Sequence, residues 1–307
     1  MSESLAPGSV RGIGSRPAPW AAVRERLSDV SAAGMATGAA RVLAYAALIV
    51  WAGVSLLPVY WMLSTSVKAS TSMLTVPPQW VPYPLSLEHY QTLLKVSSLP
   101  RWLFNTAFVA TVTTAGNLLV NAMAAYAFAK LRFPGDRQLF WVLLSLIMVP
   151  FIVVWVPLFM LISNLRLINT YWVLIIPGLG SVWNMFLLKQ FMQTLPSSLI
   201  DAARIDACGE FGIFWKIILP LSKPGLAVVA IFTFVAQWNS FFWWLLFTNT
   251  KDMRNLSVGL AQYRYEHTID YGPLMAGASI SAIPVIVIFL VFQRYFLRGL
   301  TIGALKG

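Results

Sequence analysis

Charge is scarce in this chain: Asp, Glu, Lys and Arg make up 11% of its 307 residues, where a soluble domain carries about 25%. Cysteine is nearly missing too. The single Cys208 excludes an internal disulfide and any multi-cysteine metal site. The two histidines, His89 and His267, are far apart in sequence, and no HExxH or CxxC spacing occurs, so no metal site is expected. A GxxxxGK[ST] phosphate loop is also absent, so ATP hydrolysis by this chain itself is not expected.

What is present is apolar. Hydrophobic residues make up 58% of the sequence, which places the chain among membrane proteins. Six charge-free stretches are each long enough to cross a hydrocarbon core, which needs about 20 helical residues. They are Val42–Val67, Trp102–Ala129, Gln138–Leu165, Leu167–Leu188, Pro224–Thr250 and Leu274–Gln293. The reading is an all-α membrane protein of six transmembrane helices. The third and fourth stretches are separated only by Arg166, which demands a tight hairpin through Asn164–Thr170. Residues 1–40, rich in Ala, Gly, Ser, Pro and Arg, read as a largely disordered tail with a helix over Trp20–Val30. The first apolar run starts only after Arg41 and is long, so it reads as a spanning anchor and not a cleaved secretory leader.

Basic residues set the orientation. With the N-terminus inside, fifteen Lys and Arg fall in the inner segments and seven in the outer ones. The positive-inside rule then puts both termini and the polar stretch Pro196–Pro224 in the cytoplasm. This also explains the net charge of +11 without a nucleic-acid partner. The inner segments include a loop over 189–223 and a C-terminal tail over 294–307. The outer loop over 68–101 is proline-rich and ends in an amphipathic helix with Leu87, Tyr90 and Leu94 on one face. A loop this long reads either as a cap over helix ends or as a docking surface for an external protein.

None of the six stretches holds an Asp, Glu, Lys, Arg or His. A membrane-buried ionisable group costs about 2.5–3.5 kcal/mol on insertion scales and is kept only for a purpose, so its absence argues against ion-coupled transport and charged-ring channels. The spans carry neutral polar groups instead: Asn117 and Asn121 at i, i+4, then Asn184, then Gln237-Trp238-Asn239. Two readings are open. The amides could join helices to one another, or they could line a pathway for an uncharged polyhydroxyl solute whose hydroxyls meet amides and whose ring faces meet aromatics. Pro150, Pro157, Pro177 and Pro284 could break spans around such a cavity.

The central stretch, PSSLIDAARIDACGEFGIFWKIILPLSKP, gathers Asp201, Arg204, Asp206, Glu210, Lys216 and Lys223 between apolar runs. Ser197 or Ser198 can cap a helix with Asp201 in its first turn. Gly209 and Gly212 loosen the chain, and Pro220 and Pro224 are expected to stop a second short helix. It reads either as an ordinary surface helix pair or as a docking knob.

The run Asp201-Ala202-Ala203-Arg204-Ile205-Asp206-Ala207-Cys208, with Phe214, Ile217 and Leu219-Pro220-Leu221 after it, resembles the EAA motif of ABC-importer permeases. Gln79-Trp80, Leu87-Glu88-His89-Tyr90, Trp238-Asn239-x-Phe241 and the ending Arg298–Gly307 resemble the carbohydrate-uptake branch, the maltose and glycerol-3-phosphate type. The resemblance covers about residues 41–307. It implies a type I ABC importer-like transmembrane domain in the inner membrane, with residues 198–208 as the coupling helix of a cytoplasmic ATPase dimer. It further implies a second permease chain, an extracytoplasmic solute-binding protein and a sugar substrate, with ATP and Mg bound by the ATPase and no cofactor by this chain. Asp201 takes the family's glutamate position, small Ala202 and Ala203 allow close seating, and Asp206 steadies the turn. Arg204, Ala207, Gly209 and Pro220 complete the coupling set. The sequence departs from the pattern at Asp201 for Glu, Ala207 for Gly, Cys208 for Ala and Ser240 for the acid after Trp-Asn; Gly209 is expected to supply the flexibility lost at Ala207. A stand-alone facilitator or channel, or a structural membrane scaffold, is the competing class.

Overall fold

The structure, a computed structural model, describes residues 19–70, 75–96, 98–264 and 270–304. The chain divides into two compact units, residues 1–60 and 61–307. The first unit is described from Pro19, where helix α1 (Pro19–Ser66) begins. This helix runs through residues assigned above to a largely disordered tail. The physical reason is local: Ala21, Ala22, Ala32, Ala33, Ala36, Ala39 and Ala40 favour the helix, and no proline interrupts it before Pro58. Residues 1–18 of the tail lie outside the described residues, as do 305–307 at the C-terminus.

The second unit is helical throughout; among the described residues the only β-pairing is an isolated antiparallel bridge between Lys68 and Leu85. After α1 come α2 (Glu88–Val96), α3 (Leu99–Lys130), α4 (Asp136–Ser145), α5 (Phe151–Asn164), α6 (Tyr171–Ile175) and α7 (Val182–Gln193). Then follow α8 (Ser198–Ile205), α9 (Glu210–Ile213), α10 (Leu219–Leu221), α11 (Lys223–Trp238), α12 (Phe242–Phe247), α13 (Leu256–Ala261) and α14 (Tyr271–Ala304).

Four helical stretches are long and apolar enough to cross a membrane: Ala40–Ser66, Leu99–Lys130, Tyr171–Gln193 and Tyr271–Phe292. Two pairs of helices bent at a short break bring the number to as many as six if each pair is one span. The third sequence-predicted span, Gln138–Leu165, is one of them: α4 and α5 meet at 96°. Pro150 is the cause, because it forces Val149 into an extended conformation (ψ 115°) and offers no N–H to continue the helix. The fifth predicted span, Pro224–Thr250, is also corrected. Its helix α11 ends at Trp238, the chain opens over residues 239–241, and α12 resumes separately. The other bent pair is Glu210–Leu221 with α11, at 77°. The hairpin after the third span forms as the spacing demands. Arg166 turns in the left-handed region (φ 56°), Leu167 N–H donates to the Ile162 carbonyl at 3.1 Å, and Asn169 Oδ1 accepts from both Asn249 N–H and Thr250 N–H.

The fourth span is broken in its middle. Pro177 interrupts the helix after α6, and α7 restarts only at Val182, after an extended Ser181 whose Oγ accepts from Asn184 N–H. Backbone groups freed in hydrocarbon cost several kcal/mol unless re-satisfied, and α3 supplies the partners. Asn117 Nδ2 donates to the Gly178 carbonyl at 2.8 Å and Asn121 Nδ2 to the Leu179 carbonyl at 3.0 Å, while Asn121 Oδ1 accepts from Ser181 N–H at 3.0 Å. Asn184 closes the set, donating to Asn117 Oδ1 and to Thr233 Oγ1 of α11. Gly178 sits so close that an added Cβ would lie 2.5 Å from Thr113 Cγ2.

Helix α3 is the axis of this unit. One buried cluster joins Ala122, Ala125 and Tyr126 to Met185, Leu188, Ile200, Ile213 and Phe214; a second packs Val109 with Val173, Leu174, Trp244 and Phe247; a third packs Trp102 with Leu93, Leu256 and Leu260. At its start, Trp102 Nε1 donates to the Lys251 carbonyl and Asn105 Nδ2 to the carbonyls of Asp252 and Arg254, which fixes the loop after α12. Replacing Asn121 with Leu would leave the Leu179 carbonyl and Ser181 N–H unpaired, at about 1–3 kcal/mol each. The expected outcome is a lower melting temperature of the solubilised protein with less assembled complex, read by thermal-shift and co-purification; an unchanged melting temperature would contradict this account of the break.

Candidate functional site

Two parts of the molecule can carry function. The first is α8 with the chain to Leu221. Helix α8 is amphipathic and seats its inner face in the first cluster, where Ile200 and Ala203 are buried against Ile213 and Phe214. The outer face presents Leu199, Ala202 and Ile205, the last 85% exposed, with Asp201 and Asp206 at the side and exposed Phe211 beyond. Ala203 therefore packs inward, and of the two alanines expected to seat a partner only Ala202 faces out. Neither serine caps the helix by side chain: Ser197 occupies the N-cap with helical dihedrals and makes no capping hydrogen bond.

The C-terminal end of α8 explains the departure at Ala207. Cys208 N–H donates to the Ala203 carbonyl at 2.9 Å and Ala207 N–H to the Arg204 carbonyl at 3.0 Å, the hydrogen-bond pair of a Schellman turn. That turn needs a left-handed residue at Ala207, which has φ 57°. Glycine takes this conformation freely, whereas an L-residue with a Cβ pays about 1–2 kcal/mol. Gly209 does not relieve it, for it is extended (φ −69°, ψ 158°). Pro220 does not stop the second helix either. A π turn over Phe214–Ile218 absorbs its missing N–H, and the chain bends only at Ser222.

Arg204 turns back toward the protein. Its Nε donates to Glu210 Oε1 at 2.8 Å, Asp201 Oδ1 lies 3.6 Å from its Nη1, and Tyr126 of α3 donates to Glu210 Oε2 at 2.5 Å. The carboxyl of Glu210 is thereby held below the usual carboxylate range, first by Arg204 and then by Tyr126. A lowered carboxylate pKa stabilises the fold above the ordinary range, and that stabilisation is lost as pH falls through the lowered value. This tether fixes α8 to the end of the α3 axis. Glu210 was absent from the sequence-derived coupling set; the i, i+6 placement of opposite charges across the turn at Ala207 was the signal for it.

The second part is a cavity of about 400 Å³ where the three broken stretches meet. Phe151 and Trp155 line it just after the break at Pro150, Pro177 and Gly178 at the break in the fourth span, and Gln237, Ser240, Phe242 and Trp243 around the opening after α11. Its walls are aromatic, with the Trp155 and Phe242 ring centroids 4.0 Å apart. Its polar groups are few, the Gln237 amide and the Ser240 hydroxyl; Trp155 Nε1 is buried without a hydrogen-bond partner. Of the six amide-rich span residues named from sequence, only Gln237 lines this cavity. Asn117, Asn121 and Asn184 are buried in the network that holds the broken span. Trp238 is buried too, its Nε1 donating to the Ser281 carbonyl of α14 at 3.1 Å. Asn239 caps α11 and is exposed. The aromatic run Phe241-Phe242-Trp243 was visible in the sequence, but nothing there marked it as cavity wall.

Residues 117–302 match the family model of the binding-protein-dependent transport system inner membrane component. The chain belongs to this family. It is a transport component of the inner membrane and not an enzyme, and ATP is hydrolysed on a separate subunit. Among its relatives, the arabinooligosaccharides transport system permease protein AraQ of Bacillus subtilis is 36% identical over 255 residues, covering 82% of this chain and 91% of that protein. The trehalose/maltose transport system permease protein MalG of Thermococcus litoralis is 36% identical over 275 residues, covering 87% and 97%. In fold, the chain is similar to a chain in the crystal structure of a bacterial ABC transporter involved in the import of the acidic polysaccharide alginate. That match has a TM-score of 0.74 at 22% identity over 83% of this chain and 95% of the other.

If Ala207 carries the strain its dihedral implies, Ala207→Gly should stabilise the protein by about 1 kcal/mol. A rise in melting temperature is expected in thermal unfolding of the solubilised protein, and a fall would contradict the turn geometry.

Proposed function

We propose that this chain is the permease subunit of an ATP-driven importer of a sugar or sugar-like solute, paired with a second, different permease chain. In this reading both termini and residues 189–223 are cytoplasmic, α8 seats in a cleft of the ATPase dimer, and an extracytoplasmic binding protein delivers the solute. The observation that carries it is the α8 surface. A helix tied firmly to the body by Ile200, Ala203 and the Arg204–Glu210–Tyr126 tether presents an apolar outer face, Leu199, Ala202 and Ile205, to water. Such a face requires a partner, and Asp201, whose side chain is 65% exposed beside Arg204, can also meet a base on it. Closure of an ATPase dimer on this knob would move α8 and, through the tether, the end of α3. The names of the relatives, arabinooligosaccharide and trehalose/maltose permeases, support a carbohydrate as cargo.

The cavity supports the same class of solute. Aromatic faces meet the apolar side of a sugar ring, while Gln237 and Ser240 offer hydrogen bonds to hydroxyls. No group there is ionisable, which suits an uncharged cargo. A facilitator working alone would need no docking knob, and a scaffold would need no cavity.

Two experiments test this. Asp201→Lys should leave membrane insertion intact and abolish solute-stimulated ATP hydrolysis in the reconstituted complex; unchanged stimulation would refute the docking role. The pair Ser240→Ala and Gln237→Leu should each lower the uptake rate, by about tenfold for the loss of one to two buried hydrogen bonds, with the ATPase still bound. Normal uptake by both would remove the cavity from the pathway.

A further inference from the structure

The segment 75–87, TVPPQWVPYPLSL, carries no charge and is neither helical nor buried. Its side chains point outward: Val76 is 96% exposed, Tyr83 80%, Leu85 72% and Val81 71%, with Trp80 and Leu87 more than half exposed. Its backbone, by contrast, is firmly held. Lys68 Nζ donates to the Gln79 carbonyl at 2.6 Å and Ser64 Oγ to the Trp80 carbonyl at 3.1 Å, Ser86 N–H donates to the Val67 carbonyl at 2.9 Å, and Leu85 pairs with Lys68. The Lys68 ammonium also lies over the Trp61 ring at 4.2 Å, and Trp61 meets Trp80 edge-on. The side chain of Lys68 is buried, and burial lowers its pKa. A buried cation is costly, and its use here is to bind this segment to the end of α1.

That attachment fixes the level of the segment. Trp61 and Ser64 belong to the last turns of a membrane-crossing helix, and Val67 and Lys68 follow its end, so a segment bonded to them lies at the boundary between hydrocarbon and water. Trp and Tyr are the residues that collect at this boundary. The span end is itself apolar and exposed, Leu63 being 47% exposed. The neighbouring α2 differs: it carries Glu88, His89 and Lys95, buries Leu93 and turns a charged side to water.

We propose that residues 75–87 are an interfacial anchor, seated among phospholipid headgroups with Val81, Tyr83 and Leu85 reaching the acyl boundary, and that lipid, not the binding protein, covers them. Without charge, the contact does not depend on lipid headgroup charge or on salt. Its assignment to the outer leaflet rests on the orientation proposed above; the lipid contact does not.

The assembled transporter in phosphatidylcholine–phosphatidylglycerol nanodiscs provides the test. Nitroxide labels are placed on Val81→Cys, on Tyr83→Cys and, as a water-exposed control, on Lys95→Cys, with the parent chain bearing only Cys208 as background. Relaxation by dissolved oxygen against a water-soluble nickel chelate reports depth. Labels at 81 and 83 should show an oxygen-to-nickel ratio several-fold above that at 95, unchanged by 0.5 M salt or by added binding protein. A ratio equal to that at 95 would overturn the proposal. Shielding that appears only when binding protein is added would overturn it as well, and would assign the segment to that partner. Both labelled positions are used so that failure of one variant to assemble still leaves a reading.

Discussion

Everything in the second unit depends on how an interrupted helix survives in hydrocarbon. Lipid offers no hydrogen bonds, so a carbonyl released at Gly178 or Leu179 has to find a donor within the protein. Asn117 and Asn121 provide those donors, and Asn184 locks them to α11. The network lets the fourth span open at mid-depth without unfolding. Around that opening the third stretch turns at Pro150 and the chain after Trp238 leaves its helix, so three irregular segments enclose one cavity. Breaks of this kind are tolerated where they are buried in protein or line a cavity, and both conditions hold here.

Helix α3 links the features that matter. Its beginning holds the loop after α12 through Trp102 and Asn105, its middle holds the broken fourth span, and its end reaches Glu210 through Tyr126. The small residues along it allow this closeness: a Cβ on Gly116 would fall 2.5 Å from Leu179 Cδ2. A displacement of α8 therefore meets a continuous packed element that also forms the wall behind the cavity. The strained Ala207 belongs to the same arrangement, since the Schellman turn aims Glu210 back at Arg204.

Several features were legible in the residues alone. Charge-free runs gave four of the apolar helical stretches, and a lone Arg166 between two runs gave a hairpin that the structure contains. The spacing of Asp201, Ala202, Ala203 and Asp206 points to the family by itself. The unusual alanine at 207 was noticed as a departure, but its compensation was placed at Gly209, because sequence does not reveal which residue of a turn takes the positive φ. Pro220 was taken as a stop, because the wider π turn upstream of it leaves no mark in composition.

The apolar pattern and the distribution of charge determined a helical membrane protein of six apolar stretches with a polar interruption between them, because the cost of placing charge in hydrocarbon is a one-dimensional constraint. Which amides pack and which face a solute was decided only by tertiary structure. Asn117, Asn121, Asn184 and Gln237 are equivalent as neutral polar residues in a span. Three of them meet backbone groups, one another or the Thr233 hydroxyl across 49 to 67 residues of sequence, while Gln237 meets a cavity. Hydrogen-bond satisfaction is a property of neighbours in space, and those neighbours exist only once the helices have packed.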